Sequence, residues 1–286
     1  MTILIAHLSD RAIIEVRGEE TRGFLQDLVT ANVGNLQSGE AAHGGLLTPQ
    51  GKILFDFFIV ATPEGVLIDC EADAAATLAQ RLTMYKLRRA LAIEVLEPMA
   101  VAVAWGGSDL PQLEGAHVYA DPRNPELGLR VIAAESVIKS IANQPADAYR
   151  AHRYKLGIAD SAEIGSGEMF PHEANYDQFG SVDFKKGCYV GQEVVSRMQH
   201  RGTARSRIVP VKAGNDLPDA GAKIMAGGKP AGALIGTHAT SGLAVIRLDR
   251  AAKADNYLSV DGLAITMQKP SWAKWVDMTA ASGDDD

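Results

Sequence analysis

Cysteine is scarce: Cys70 and Cys188 are the two thiols in 286 residues. Two cysteines cannot build the disulfide framework of a small secreted scaffold. Nor do they, with His152, His172 and His200, show the spacing of a zinc site, so no metal site is expected. Long apolar runs are missing as well; none approaches the roughly 18 residues that a membrane-crossing helix needs, so no membrane partner is expected. Positive charge is not in excess: 28 Lys and Arg stand against 35 Asp and Glu, a net −7. Non-specific polyanion binding rests on the opposite balance, which argues against direct nucleic-acid binding. The opening MTILIAHLSDRAIIEV has no basic stretch ahead of an apolar core. No secretory signal is expected from it, and the expected address is the cytoplasm. GxGxxG after a strand, GxxxxGK[ST] and GxSxG are all absent. Dinucleotide, P-loop and serine-hydrolase chemistry are therefore without support.

What is present is an ordinary globular composition, 47% hydrophobic and 22% charged, in a chain long enough for two domains. Apolar runs at 3–8 and 12–16 predict strands, and a helix follows over 19–31. ILFDFFIVA (53–61) and VLIDC (66–70), joined by TPEG, predict a hairpin. A helix over 73–88 and the strands AIEVLE and AVAVAW complete an α+β pattern with an antiparallel sheet. GLRVIA reads as a strand, followed by helices near 135–142 and 146–156. Residues 157–188 are irregular and rich in Gly, Pro, Asn and Asp, a composition more often functional than idle at that length. A helix is expected over 191–201, and after 203 short strands alternate with turns as in a small β module. The acidic end, 281–286, is expected to be disordered.

Segment 184–202, FKKGCYVGQEVVSRMQHRG, concentrates the unusual chemistry. Residues 185–207 carry six Lys or Arg and one acid, a net +5 that leaves the rest of the chain at −12. Cys188 follows two lysines and precedes a helix start, and both features stabilise a thiolate. It is either a reactive or ligand-bearing thiol or a small residue buried in a turn. Gln192 and Glu193 could read a heterocycle, or Glu193 could simply favour the helix N-terminus. Asp56 lies inside an apolar strand; it is either a buried, paired carboxylate near a ligand amine or points outward from a strand edge. Arg197, Arg201, Arg205 and Arg207 suit an anionic tail or a solvated rim.

FPHEANYDQFGSVDFKKGCYVGQEVVSRMQHRGTARSR resembles the signature of the YgfZ family, folate-binding relatives of the glycine-cleavage T-protein. KGCYVGQE matches the family's KGC[FY]xGQE, and LLTPQGKILFDFFIV and GALIGTHATSGLAVIRLDRA resemble its early segment and its C-terminal barrel hairpin. The likeness is nearest to the branch that includes a mitochondrial assembly factor for [4Fe–4S] proteins. It implies an α+β fold, a three-domain ring like the T-protein around a folate-sized channel. Residues 1–45 plus 136–202 would form a discontinuous folate-binding domain, 46–135 a ferredoxin-like α+β domain, and 203–280 a C-terminal β-barrel.

The implied function is that of a folate-binding factor for assembly or repair of iron–sulfur clusters in client enzymes, including tRNA-modifying radical enzymes. The implied cofactor is tetrahydrofolate or a related folate, and the implied partners are iron–sulfur client or assembly proteins. The resemblance carries the chemistry onto Cys188 and Asp56. It carries the cofactor site onto Lys186, Gly187, Tyr189, Gly191, Gln192, Glu193, Arg201 and Lys155. Two departures stand out: Asp56 is followed by Phe57 where the T-protein has adjacent acids, and Lys155 replaces a glutamate that holds the pterin ring. A lysine there suits a folate glutamate tail or another anion. The alternative function is tetrahydrofolate-dependent aminomethyl transfer of the glycine-cleavage type, which the Cys188 motif disfavours.

Overall fold

The computed structural model describes residues 2–202, 204–255 and 257–275, so the acidic end lies outside the described residues. Two strands open the chain, β1 (Leu4–Leu8) and β2 (Arg11–Arg17), followed by a short helix α1 (Thr21–Gln26). β3 (Ala41–Leu47), β4 (Ile53–Ala61) and β5 (Gly65–Glu71) lead into helix α2 (Ala72–Lys86) and then β6 (Ala92–Leu96). These strands form a five-stranded antiparallel sheet in the order β3-β4-β5-β2-β6. β7 (Met99–Trp105), β8 (His117–Ala120) and β9 (Leu129–Ala134) join β1 in a second sheet ordered β1-β7-β9-β8. Neighbours in sequence are thus split between sheets: β1 and β2 part company, as do β6 and β7. β3 runs through residues 45 and 46 and pairs with β4, while β2 pairs with β5 and β6.

The near-continuous apolar run of β4 has a simple cause: the five-stranded sheet is covered on both faces. On one face Phe57, Ile59, Ile14 and Ile68 pack against Ala75, Leu78 and Leu82 of α2. On the other, Phe58, Val60, Ile13 and Leu67 pack against Val101, Val103 and Ile132 of the second sheet. Side chains alternate along a strand, so Asp56 shares the face of Phe58. Asp69, opposite Phe58 in register, looks into the same interior.

Helices α3 (Glu135–Ile141), α4 (Ala146–Leu156), α5 (Ser161–Ile164), α6 (Tyr176–Phe179) and α7 (Gln192–Arg201) follow. α4 ends at Gly157 in the left-handed region, φ +74°. α5 begins with a capping box, Asp160 and Glu163 each satisfying the other's backbone amide. The module after residue 203 is a closed six-stranded barrel. It comprises β10 (Ser206–Ala213), β11 (Lys223–Ala226), β12 (Lys229–His238), β13 (Ser241–Arg247), β14 (Leu258–Val260) and β15 (Leu263–Met267). A helix, α8 (Leu248–Lys253), links β13 to β14. The barrel shares a core with the rest: Ile208 and Leu243 pack with Leu47, Ile53, Tyr154 and Tyr176. No helix among the described residues is long and apolar enough to cross a membrane.

Candidate functional site

Cys188 stands exposed on the loop between α6 and α7, which removes the buried-turn alternative. The loop is held from beneath by its own sequence. Asp183 accepts the backbone amides of Lys185 and Lys186 at 2.7 and 3.2 Å and the side-chain amide of Asn32 at 2.8 Å. Lys186 turns inward and donates to the carbonyls of Val29 and Ala31, both at 2.7 Å. Its half-buried ammonium is pushed down to about 8 by desolvation, with Asp183 and Asp27 opposing the shift. Tyr189 is buried in the core shared with the barrel. Gly191 sits at φ +80°, where a side chain's Cβ would lie 2.6 Å from the Thr48 carbonyl oxygen. The close approach of two turns, TPQGK and YVGQ, therefore requires glycine there.

The other residues carried over by resemblance disperse. Glu193 is 85% exposed and pairs with Arg197 one turn on, at 2.5 Å, the ordinary helical i,i+4 arrangement. Lys155, Gly187 and Arg201 are exposed, and Gln192 is half-buried in the first turn of α7. Asp56 lies far from solvent, 5% exposed, at the centre of a buried polar chain. His43 Nε2 donates to its Oδ1 at 2.8 Å and the Tyr176 hydroxyl donates to the same oxygen. The Ser161 hydroxyl donates to Oδ2 at 3.0 Å. With the His43 proton on Nε2, the Ser181 hydroxyl donates to Nδ1 at 2.7 Å. Burial opposes ionisation of Asp56, yet His43 and these hydrogen bonds hold its carboxyl below the usual range. Both carboxylate oxygens of Asp56 are thus engaged by protein groups.

Sequence reasoning missed the larger part of this interior. Asp69 takes Arg11 at 2.6 Å, Arg130 at 2.6 Å and the Tyr119 hydroxyl at 3.2 Å. Arg123 pairs with Asp121 at 2.8 Å, and Arg153 with Glu163 at 3.1 Å. Arg130 and Arg123 stack over Phe58, 4.0 and 4.6 Å from its centroid. Charged residues inside the apolar strands VLIDC and GLRVIA were the available signal, the same one that marked Asp56. Among the described residues no three His, Cys, Asp or Glu are placed to hold a metal ion.

Beside this network a cavity of about 500 Å³ opens where β1, β2, α4, α5 and β12 meet. None of the folate contacts carried over by resemblance lines it. Its lining includes the ion-paired Arg11, Arg153 and Glu163, the exposed Asp10, the half-buried Glu71, and the buried Tyr149 and Tyr154. Arg150 stands at the rim. Burial, and the acids Asp73, Asp10 and Asp160 nearby, raise the Glu71 carboxyl above its ordinary range against the pull of Arg11. The volume is that of a small-molecule pocket. The Asp10 and Glu71 carboxylates suit the N–H donors of a pterin, and Arg150 suits an acidic tail. The donor set is compatible with a folate.

The barrel, over residues 205–275, matches the family model described as the CAF17 C-terminal beta-barrel domain. The iron–sulfur cluster assembly factor IBA57 homolog, mitochondrial, of Coccidioides immitis is 31% identical, with 85% of this chain and 71% of that protein aligned. The homolog of Neurospora crassa is 33% identical over 72% of this chain and 53% of its own length. Human IBA57 is 26% identical over 93% of this chain and 84% of its own. The chain spans about half the length of several of its fungal relatives. The glycine-cleavage aminomethyltransferase T of Bartonella henselae superposes with a TM-score of 0.75 over 95% of this chain and 86% of that one. At 14% identity it shows the fold alone. The relatives' names overturn the expected cytoplasmic address: all are mitochondrial, and an unremarkable opening sequence could not reveal that. Identity at this level over most of both chains, with the intact KGCYVGQE segment, places the protein: it belongs to the IBA57 branch of the YgfZ family.

Proposed function

We propose that this chain is an accessory factor for assembly or repair of iron–sulfur clusters, acting through the Cys188 thiolate. The observation that carries the reading is the exposed Cys188 on a loop braced by Asp183, Lys186 and Gly191. A braced loop presents a ligand without the entropy loss of ordering it at each encounter. The cluster is cargo. Four thiolates are its common requirement, and Cys70 is buried with its thiol pushed up to about 12 by desolvation. One exposed thiolate therefore supplies a single ligand, and the partner supplies the remainder.

Tetrahydrofolate belongs to the same reading, in the cavity beside α4. Glu71 and Asp10 would accept from the pterin and Arg150 would face the tail. A bound tetrahydrofolate would supply a reduced, one-carbon-carrying pterin. On the family resemblance the clients are cluster-bearing enzymes, among them radical enzymes that modify tRNA. Aminomethyl transfer has less support, because Asp56 is enclosed by His43, Ser161 and Tyr176.

Complementation tests the reading in a strain lacking its own relative. Cys188→Ala should lose the activity of a [4Fe–4S] client while the purified variant melts as the parent does; full rescue would remove Cys188 from the function. Millimolar tetrahydrofolate should raise the melting temperature of the purified chain by linkage. No shift would remove the folate half and leave the thiol half standing.

A further inference from the structure

The turn that ends α2 exposes apolar side chains. Leu87 is 84% exposed and holds φ +50°. A leucine in that region is strained, and such strain persists where function requires it. Met84, one helical turn earlier, is 68% exposed. Arg88 beside them is exposed and has no side-chain partner among the described residues, and the same holds for Lys185 on the Cys188 loop.

These two places are fastened to one short segment. Arg89 donates to Asp27 at 3.4 Å and lies over Phe24, 5.4 Å from the ring centroid. Two and four residues beyond Asp27, the carbonyls of Val29 and Ala31 take Lys186. The end of α2 and the Cys188 loop are thus both anchored on residues 24–31. A depression of about 370 Å³, walled by Glu20, Tyr85 and Arg88, adjoins Leu87.

We infer that the Met84–Leu87 patch is a docking anchor for an acidic protein partner that also reaches the Cys188 loop. An apolar pocket of the partner takes Leu87, and its carboxylates meet Arg88 and Lys185. Apolar anchors beside unpaired cations select a protein with the complementary pairing. A second copy docked patch to patch would bring Arg88 and Lys185 against their own likes. The inference rests on the reading of Cys188 as the working thiol.

A photo-crosslinking residue tests it, placed at position 87 or at position 187 of the full chain in cells lacking their own relative. Gly187 has open space around it, so position 187 tolerates the probe. Both positions should give an adduct with the same acidic protein. Arg88→Glu should cut both adducts at least tenfold. Leu87→Gly should cut the adduct at 187 similarly while raising the melting temperature, because glycine relieves the strained turn. An adduct at one position only, different proteins at the two, a nuclease-sensitive adduct or a second copy of this chain would each overturn the inference. With an adduct at 187 alone the Cys188 reading survives; with none at either position it falls too.

Discussion

Among single residues, Gly191 does the most to set the candidate site. It is the N-cap of α7, and its lack of a Cβ lets the 187–191 turn press against Thr48. Gly191→Ala adds a positive-φ strain and a contact of 2.6 Å against backbone that cannot move aside. It should lower stability by about 1–3 kcal/mol in urea titrations. Cys188→Ser, on the exposed side of the same loop, should change it by less than about 0.5 kcal/mol. An equal loss in both would mean that the loop is held by its thiol. The KGCYVGQE run made Cys188 and Gly191 legible in the sequence. It could not show that Glu193 and Arg201 face solvent. A motif fixes order along the chain, whereas the direction of a side chain on α7 depends on which face of the helix packs.

At the level of strands and helices, β4 was legible to the residue, since ILFDFFIVA is both the apolar run and the strand. The surroundings of Asp56 were not, because a sheet covered on both faces erases the alternation that tells inside from outside. The strands bury carboxylates and arginines in pairs, and the pairing makes a pH prediction. Asp56, Asp121 and Asp160 are all buried against ionisation, and their partners nevertheless hold them below the usual range. Histidine 43 does this for Asp56, Arg123 does it for Asp121, and the arginines, Arg123 first, do it for Asp160. In the unfolded chain these carboxyls bind protons at ordinary values, so the unfolded state gains protons first as pH falls. The stability they contribute is full above about pH 4 and is lost as pH drops toward their folded values. Urea midpoints should therefore hold steady from about pH 7 to 5 and fall steeply below 4. A midpoint flat down to about pH 3 would mean that the ion pairs contribute nothing.

At the scale of the whole molecule, the small β module after residue 203 was visible as strands and turns. How it joins the rest was not, because partners distant in sequence leave no local pattern. The join is a shared surface. The Ile208 amide donates to the Glu173 carbonyl, Arg207 reaches Asp177, and β12 lies against α4 and α5. The tightest point is Gly236 of β12, where a Cβ would lie 2.2 Å from the Tyr154 hydroxyl. That hydroxyl cannot swing away without breaking its 2.8 Å bond to Glu163, which in turn holds Arg153 and the cap of α5. Gly236→Ala should therefore push the barrel off α4 at a cost of about 1–3 kcal/mol, the range for overpacking. Tyr154 and Gly236 also line the cavity assigned to folate. The same variant should thus lose the melting-temperature shift with tetrahydrofolate while keeping the photo-crosslink at position 187, because the thiol loop is braced chiefly from residues 29–48. Loss of both would mean that the barrel, rather than the α1 segment, positions the thiol.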